Sequence, residues 1–148
     1  MRTSKTTTYT AIFCTFLMTF ALESVFGQPV QISLVGAENL EEDFTAEVDI
    51  VFVYEVSVLN QLPFEQFDWI SSREQEKIRF GNRIDVISLQ VVAGTKLENI
   101  PLPARVDMAM AVLVFASHAE PVAEGIDITR ESKLVLQVEN WGIEVRLI

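Results

Sequence analysis

Short runs of β-branched residues, separated by turn residues, dominate the chain after residue 27 and restrict the folds open to it. Val30 to Val35 alternates apolar and polar side chains, the period of two that is typical of a half-buried strand. Glu47 to Val58 is apolar at both parities, which predicts a central strand covered on both faces. Asp107 to Ser117 contains the longest apolar run of this region and predicts a core strand.

The remaining runs complete a mainly β pattern. Ile84 to Val92 and Leu97 to Leu102 predict two strands around a turn at Ala93 to Thr95. Ala119 to Thr129 is predicted to be a loop, and alternating runs on both sides of the turn 140–142 predict a C-terminal hairpin. About seven short strands separated by turn signals predict a two-sheet β-sandwich. Without an internal repeat or a linker, we expect a single domain over residues 28–148.

Between Asn60 and Phe80 the apolar period lengthens, which predicts a short helical insertion in the sandwich. Phe64, Phe67 and Ile70 recur at three-residue spacing, as on one face of a helix. The stretch Ser71 to Gln75 offers a capping box, so we expect a second helical turn to start there.

The aromatic residues of this insertion allow two interpretations. Phe64, Phe67 and Trp69 could form a docking patch for a partner, but we expect them to pack over the edge of the sandwich. Gly81 follows the last apolar residue of the insertion and is predicted to end the helix.

The first 27 residues predict a secretory signal peptide. Arg2 and Lys5 supply the positive charge, Ala11 to Leu22 is the apolar segment, and Val25 to Gly27 suits cleavage before Gln28. The apolar segment is too short to cross a hydrocarbon core about 30 Å thick. We therefore expect this segment to be removed on export.

Cys14 is the only cysteine of the chain and lies inside the apolar segment of the predicted signal peptide. Cleavage would leave no disulfide and no thiolate metal ligand. Cys14 could instead be the acylated cysteine of a bacterial lipoprotein, but Phe13 precedes it and the residues upstream are polar and rich in Thr. We expect membrane association only through partners, unless Cys14 is lipidated.

Composition and motifs argue against an enzyme. A formal net charge of −10 repels phosphate backbones and anionic lipids, so nucleic acid is excluded as a partner. His118 is the only histidine, which leaves no zinc cluster and no supported nucleophile–base pair. Glu41 to Asp43 could bind calcium, but the stretch lacks the ligand spacing of an EF-hand loop and predicts a solvated acidic loop. We expect no catalysis, no cofactor and no metal.

The order of these segments resembles the TssJ family, the small outer-membrane lipoproteins of type VI secretion systems. The resemblance spans most of Val30 to Phe115 and depends on element order and a few apolar and aromatic positions. The segments that carry it are V-x-I-x-L (Val30 to Leu34), an acidic loop around Asn39-Leu40, D-I-V-F-V-Y-E (Asp49 to Glu55), F-E-Q-F-D-W-I (Phe64 to Ile70), the turn at Gly94, L-E-N-I-P-L-P (Leu97 to Pro103) and Val114-Phe115-Ala116.

The resemblance implies a transthyretin-like β-sandwich without enzymatic activity, in the periplasm or on the periplasmic face of the outer membrane. It also implies binding to the periplasmic part of an inner-membrane protein, TssM. Family members carry a lipidated cysteine at the mature N-terminus, where this chain has Gln28.

In the TssJ family the loop between the first two strands contacts TssM, and the matching positions here are Gly36 to Ala46. We expect Leu40 and Phe44 to act as apolar anchors within a ring of carboxylates that attract a basic surface. The candidate partner-binding residues are Asn39, Leu40, Glu41, Glu42, Asp43 and Phe44.

Two other classes of protein remain open. A secreted or periplasmic β-sandwich module that binds carbohydrate or mediates adhesion would need an exposed aromatic platform, for which Trp141 and Tyr54 are the candidates. A hydrolase would need a nucleophile and a base, and the sequence offers no such pair.

Overall fold

The computed structural model describes residues 28–148; the predicted signal peptide and Cys14 lie outside this range. The described residues form two four-stranded sheets, with strand orders β4-β1-β7-β8 and β3-β2-β5-β6. The elements are β1 (Gln31–Gly36), β2 (Thr45–Val53), α1 (Val56–Leu59), α2 (Gln66–Phe80), β3 (Ile84–Val92), β4 (Lys96–Leu97), β5 (Ala111–Ala116), β6 (Ile126–Asp127), β7 (Lys133–Glu139) and β8 (Gly142–Leu147), with 3₁₀ turns at Gly81–Arg83 and Val106–Met108. The predicted mainly β fold of two sheets is confirmed. Neither described helix has the length and apolar character needed to cross a membrane.

The strand β2 is the centre of the fold. Ile50 and Phe52 are fully buried in the core between the two sheets, whereas Val51 and Val53 are fully buried in a second cluster. This second cluster includes Trp69 of α2. The prediction of a central strand covered on both faces is confirmed. The strand ends at Val53, five residues before the predicted end, because the chain turns into α1.

The insertion contains one continuous main helix. The helix α2 spans 15 residues without a break, so the predicted restart at Ser71 is wrong. The hydroxyl groups of Ser71 and Ser72 instead donate to the backbone oxygen of Asp68, at 3.2 and 2.6 Å, within the helix. The predicted end of the helix is confirmed, because α2 stops at Phe80 and Gly81 follows it with a φ of 54°. Residues with a Cβ rarely adopt this backbone conformation.

The strands after the helix agree with the prediction in part. β3 has the predicted bounds, and the C-terminal hairpin is confirmed in β7 and β8. The predicted strand from Leu97 to Leu102 is wrong beyond its first residue. Asn99 has a φ of 51°, which breaks the extended run, and prolines 101 and 103 have no N–H to donate to a ladder.

Two further boundaries differ from the prediction. The core strand β5 is confirmed, but it begins at Ala111 instead of Asp107, because Val106–Met108 forms a 3₁₀ turn. The predicted loop from Ala119 to Thr129 contains the two-residue strand β6, which pairs with Leu113 and Val114 of β5.

Three side chains link the segments at the end of the sandwich where β2 finishes. The hydroxyl of Tyr54 donates to Asp85 at 2.6 Å, and Arg105 forms an ion pair with Asp85 at 3.2 Å. The guanidinium of Arg105 also lies 4.0 Å from the centre of the Tyr54 ring, a cation–π contact. Burial raises the pKa of Tyr54 above its usual value, and the hydrogen bond to Asp85 raises it further.

This raised pKa predicts an alkaline loss of stability. The fold favours the neutral phenol, so the stability that Tyr54 contributes is complete below about pH 10, the usual tyrosine pKa, and is lost as the pH rises above it. Tyr9 lies within the predicted signal peptide, so Tyr54 is the sole tyrosine of residues 28–148. Its phenolate absorbance should appear at higher pH in the folded protein than in urea. Equal ionisation curves in both states would contradict the assignment.

Candidate functional site

The loop of residues 37–44, here called the acidic loop, joins β1 to β2 and so crosses from one sheet to the other. Backbone hydrogen bonds hold it: the N–H of Ala37 donates to Val138 at 2.8 Å, and the N–H of Phe44 donates to Glu41 at 3.0 Å. The side-chain amide of Asn140 donates to the backbone oxygen of Asn39 at 3.3 Å. The acidic loop and the turn between β7 and β8 therefore form one surface.

The apolar side chains of the acidic loop point towards the protein. Leu40 is only 8% exposed, and Phe44 is half-buried against the core between the sheets. The ring of Phe44 meets His118 edge-to-face, with 5.2 Å between the ring centres. The expectation that Leu40 acts as an apolar anchor for a partner is corrected: its side chain is buried, so it packs inside the loop and is not available on the surface.

The polar side chains of the acidic loop point outwards. Five consecutive or near-consecutive positions are exposed: Glu38, Asn39, Glu41, Glu42 and Asp43. Glu120 and Trp141 are exposed as well, on the segments that follow β5 and β7. Because five carboxylates lie among these positions, this end of the sandwich is a strongly negative surface.

An open cavity of about 510 Å³ adjoins the acidic loop. Glu38 and Asn39 of the loop line it together with Gln137, Glu139 and Arg146 of the hairpin. The side-chain amide of Gln137 donates to the carboxylate of Glu139. The cavity offers hydrogen-bonding groups of both kinds and one cation, which suits a polar segment of a partner better than an apolar ligand.

His118 has a structural role in this surface. Its Nε2 lies 2.9 Å from the backbone oxygen of Glu139 and 3.1 Å from that of Gly142, so Nε2 carries the proton and donates. Its Nδ1 is buried without a hydrogen-bond partner. The ring therefore links the hairpin turn to the segment after β5 and supports Phe44.

No set of three or more His, Asp or Glu residues within 28–148 has the geometry to hold a metal ion. The carboxylates of Glu41, Glu42 and Asp43 are exposed to solvent.

A buried polar link that the sequence did not predict joins the helix α2 to the strand β2. Trp69 of α2 donates through its indole N–H to the carboxylate of Asp49 on β2 at 2.9 Å, and both residues are fully buried. The Trp69 ring also stacks on Phe115 of β5, at 5.2 Å between ring centres. Arg73 lies 3.6 Å from the same carboxylate oxygen of Asp49. Asp49, flanked by Val48 and Ile50 within β2, was the available signal, since a buried carboxylate needs a donor.

Two aromatic residues at the beginning of the insertion are exposed, Phe64 just before α2 and Phe67 in its first turn. Phe67 is 61% exposed and Phe64 is 43% exposed, so the expected packing is wrong for these two residues and confirmed for Trp69. The reason lies at the start of the helix, where backbone N–H groups donate to the β5–β6 segment: Phe67 donates to Pro121 at 3.1 Å. That segment covers the backbone and leaves both rings outside.

The structure does not assemble the aromatic platform considered for a carbohydrate-binding module. Tyr54 is half-buried beneath Arg105 and follows the end of β2, whereas Trp141 lies near the acidic loop, which precedes the start of β2. The two rings are therefore at opposite ends of the sandwich.

The protein is similar to known proteins in structure but not in sequence. The sequence matches no protein-family model and none of the curated proteins with which it was compared. The structure is similar to that of Serratia marcescens Lip, a membrane-bound component of the type VI secretion system, with a TM-score of 0.55 and 12% identity over 81% of this chain and 99% of Lip. It is also similar to the type VI secretion lipoprotein TssJ1 from Pseudomonas aeruginosa, with a TM-score of 0.55 and 8% identity over 82% of this chain and 95% of TssJ1.

These similarities cover nearly all of both solved chains, so the two-sheet sandwich described here is a TssJ-like fold. The family resemblance predicted from the sequence is thereby confirmed at the level of fold.

Proposed function

We propose that this chain is a non-enzymatic envelope component of a type VI secretion-like system, and that it acts by binding another protein. The observation that carries the proposal is the TssJ-like fold, shared with Lip and TssJ1 over nearly their whole lengths. The signal peptide predicted over residues 1–27 would deliver the remaining residues to the periplasm or to the periplasmic face of the outer membrane.

We infer that the partner is the periplasmic part of a TssM-like inner-membrane protein and that the acidic loop contacts it. Two features of the acidic loop support this inference, its rigidity and the exposure of its charges. The loop is held by backbone hydrogen bonds at Ala37 and Phe44, so it loses little conformational entropy on binding. Its carboxylates are exposed while Leu40 and Phe44 fix its shape from within.

We propose that the candidate residues contribute to partner binding in two different ways. Asn39, Glu41, Glu42 and Asp43 would contact the partner directly, whereas Leu40 and Phe44 would position them. Glu38 joins the candidates because it is exposed and lines the adjoining cavity. A partner surface rich in Lys and Arg, with a polar segment that enters the cavity, matches this chemistry.

The experiment is titration calorimetry of the purified protein against the periplasmic part of the TssM-like protein encoded in the same genome. We expect a dissociation constant in the micromolar range or tighter. A periplasmic domain of similar charge from an unrelated envelope protein is the control and should not bind. No heat of binding at tens of micromolar would overturn the secretion assignment.

A further inference from the structure

The strand β8 presents an unpaired edge within residues 28–148. Among the strands of this described range, β8 is the outermost of its sheet and pairs only with β7. Glu139 lies opposite Gly142 and Gln137 opposite Glu144, and the N–H of Ile148 donates to Lys133 at 3.2 Å. Because hydrogen-bonded positions alternate along an antiparallel strand, the backbone groups of residues 142, 144, 146 and 148 face β7.

The backbone groups of Ile143, Val145 and Leu147 therefore face away from β7. Within residues 28–148 no hydrogen bond to these outer N–H and C=O groups is found. Unpaired groups of this kind are a template for another strand. The edge carries exposed apolar residues at its end, since Leu147 is 66% exposed and Ile148 is 71% exposed.

The charges on this edge have opposite signs. Glu144 and Arg146 lie two residues apart on the solvent face of β8, and their side chains are 47% and 55% exposed. Within one chain the carboxylate of Glu144 and the guanidinium of Arg146 form an ion pair at 3.3 Å. Charged side chains, especially Lys, are one of the means by which edge strands discourage pairing. A pair of opposite charges allows it in one arrangement.

We propose that β8 pairs with β8 of a second copy of this chain, antiparallel, with Val145 opposite Val145. In this register Glu144 of each copy lies opposite Arg146 of the other, so two favourable cross-strand ion pairs form. Leu147 falls opposite Ile143, which places an exposed apolar side chain beside a buried one. Ile148 falls opposite Gly142, which has no side chain to obstruct it.

The two neighbouring registers are unfavourable because they place like charges opposite each other. Antiparallel pairing needs outward-facing backbone groups on both strands, so the register can shift only in steps that centre it on Glu144 or on Arg146. The first places Glu144 directly opposite Glu144, and the second places Arg146 opposite Arg146. Like charges directly opposite each other are destabilising. The register centred on Val145 is the one that the sequence of β8 favours.

The pairing would join two four-stranded sheets into one continuous sheet around a two-fold axis. A single short edge buries little area, and each chain carries a net charge of −10, so the dimer is expected to be weak. Salt near physiological strength reduces the long-range repulsion between the copies.

Sedimentation equilibrium at tens to hundreds of micromolar tests the proposal. Wild type should show reversible dimerisation, and Arg146→Glu should weaken it by at least about tenfold, because two attractive pairs become repulsive. The double variant Glu144→Arg with Arg146→Glu rebuilds both pairs with the signs exchanged and should restore dimerisation to within about threefold of wild type.

The matched control is Lys96→Glu. Lys96 forms an exposed ion pair with Glu98 at 2.9 Å, also two residues away, but on β4 at the opposite edge of the same sheet. This variant makes the same charge change and should dimerise like wild type. A monomeric wild type at hundreds of micromolar, equal weakening by Lys96→Glu and Arg146→Glu, or no recovery in the double variant would each overturn the proposal.

Discussion

Replacing Trp69 by Ala should lower the free energy of unfolding by about 4 kcal/mol. Removal of a fully buried Trp side chain costs about 3 to 5 kcal/mol through lost contacts and the cavity that remains. Here the variant loses the stacking on Phe115 and also leaves the buried carboxylate of Asp49 without its indole donor. An unsatisfied buried acceptor adds to the cost.

Denaturation in guanidinium chloride measures this effect, and the chain contains its own control. Trp141, the other tryptophan, is 66% exposed, so Trp141→Ala should change the stability by less than about 0.5 kcal/mol. Trp69→Phe keeps an aromatic ring but removes the N–H, and should cost about 2 kcal/mol. Equal stability of the two Ala variants would show that the link between α2 and β2 does not hold the fold together.

Much of the fold was predictable because hydrophobic periodicity is a local signal. The two buried faces of β2 and the bounds of β3 follow from which side chains are apolar and how they alternate. The Leu97 to Leu102 segment has strand composition too, but its positive φ at Asn99 depends on how the chain must bend to bring Ile100 onto Ile32, where its N–H donates at 2.8 Å. That bend is a tertiary effect and leaves no local pattern.

The position and the charge of the acidic loop were predictable from the sequence, but the directions in which its apolar side chains point were not. The acidic residues between β1 and β2 are visible in the sequence, and their position in the loop is as expected. The burial of Leu40 and the exposure of Phe67 were not predictable, because an apolar residue outside a regular pattern can face either way. Contacts far along the chain contribute to these orientations: the ring of His118 packs edge-to-face on Phe44 of the same loop, and the backbone oxygen of Pro121 accepts a hydrogen bond from the N–H of Phe67.

Neutralising the acidic loop should slow partner binding without unfolding the protein. In a variant with Glu41→Gln, Glu42→Gln and Asp43→Asn, three exposed charges that would attract a basic partner are lost. Complementary charges raise association rates about 10- to 1000-fold, with strong dependence on ionic strength. We expect the association rate at low salt to fall about tenfold or more, and the dependence on salt to become weaker. Circular dichroism should match wild type.

The matched control removes three carboxylates from the other end of the sandwich. Glu55 follows the end of β2, Asp107 precedes β5 and Glu131 precedes β7, so all three lie away from the acidic loop. The variant Glu55→Gln, Asp107→Asn and Glu131→Gln makes the same change in net charge. It separates the effect of the loop from that of the overall charge, since long-range attraction alone would respond similarly to both changes.

The decisive measurement is therefore the association rate of wild type, the loop variant and the control variant with the periplasmic part of the TssM-like protein, at low and at physiological salt. If the acidic loop is the partner-binding surface, the loop variant associates about tenfold or more slowly at low salt while the control variant stays within about threefold of wild type. Equal rates for the loop and control variants would contradict the assignment of this surface.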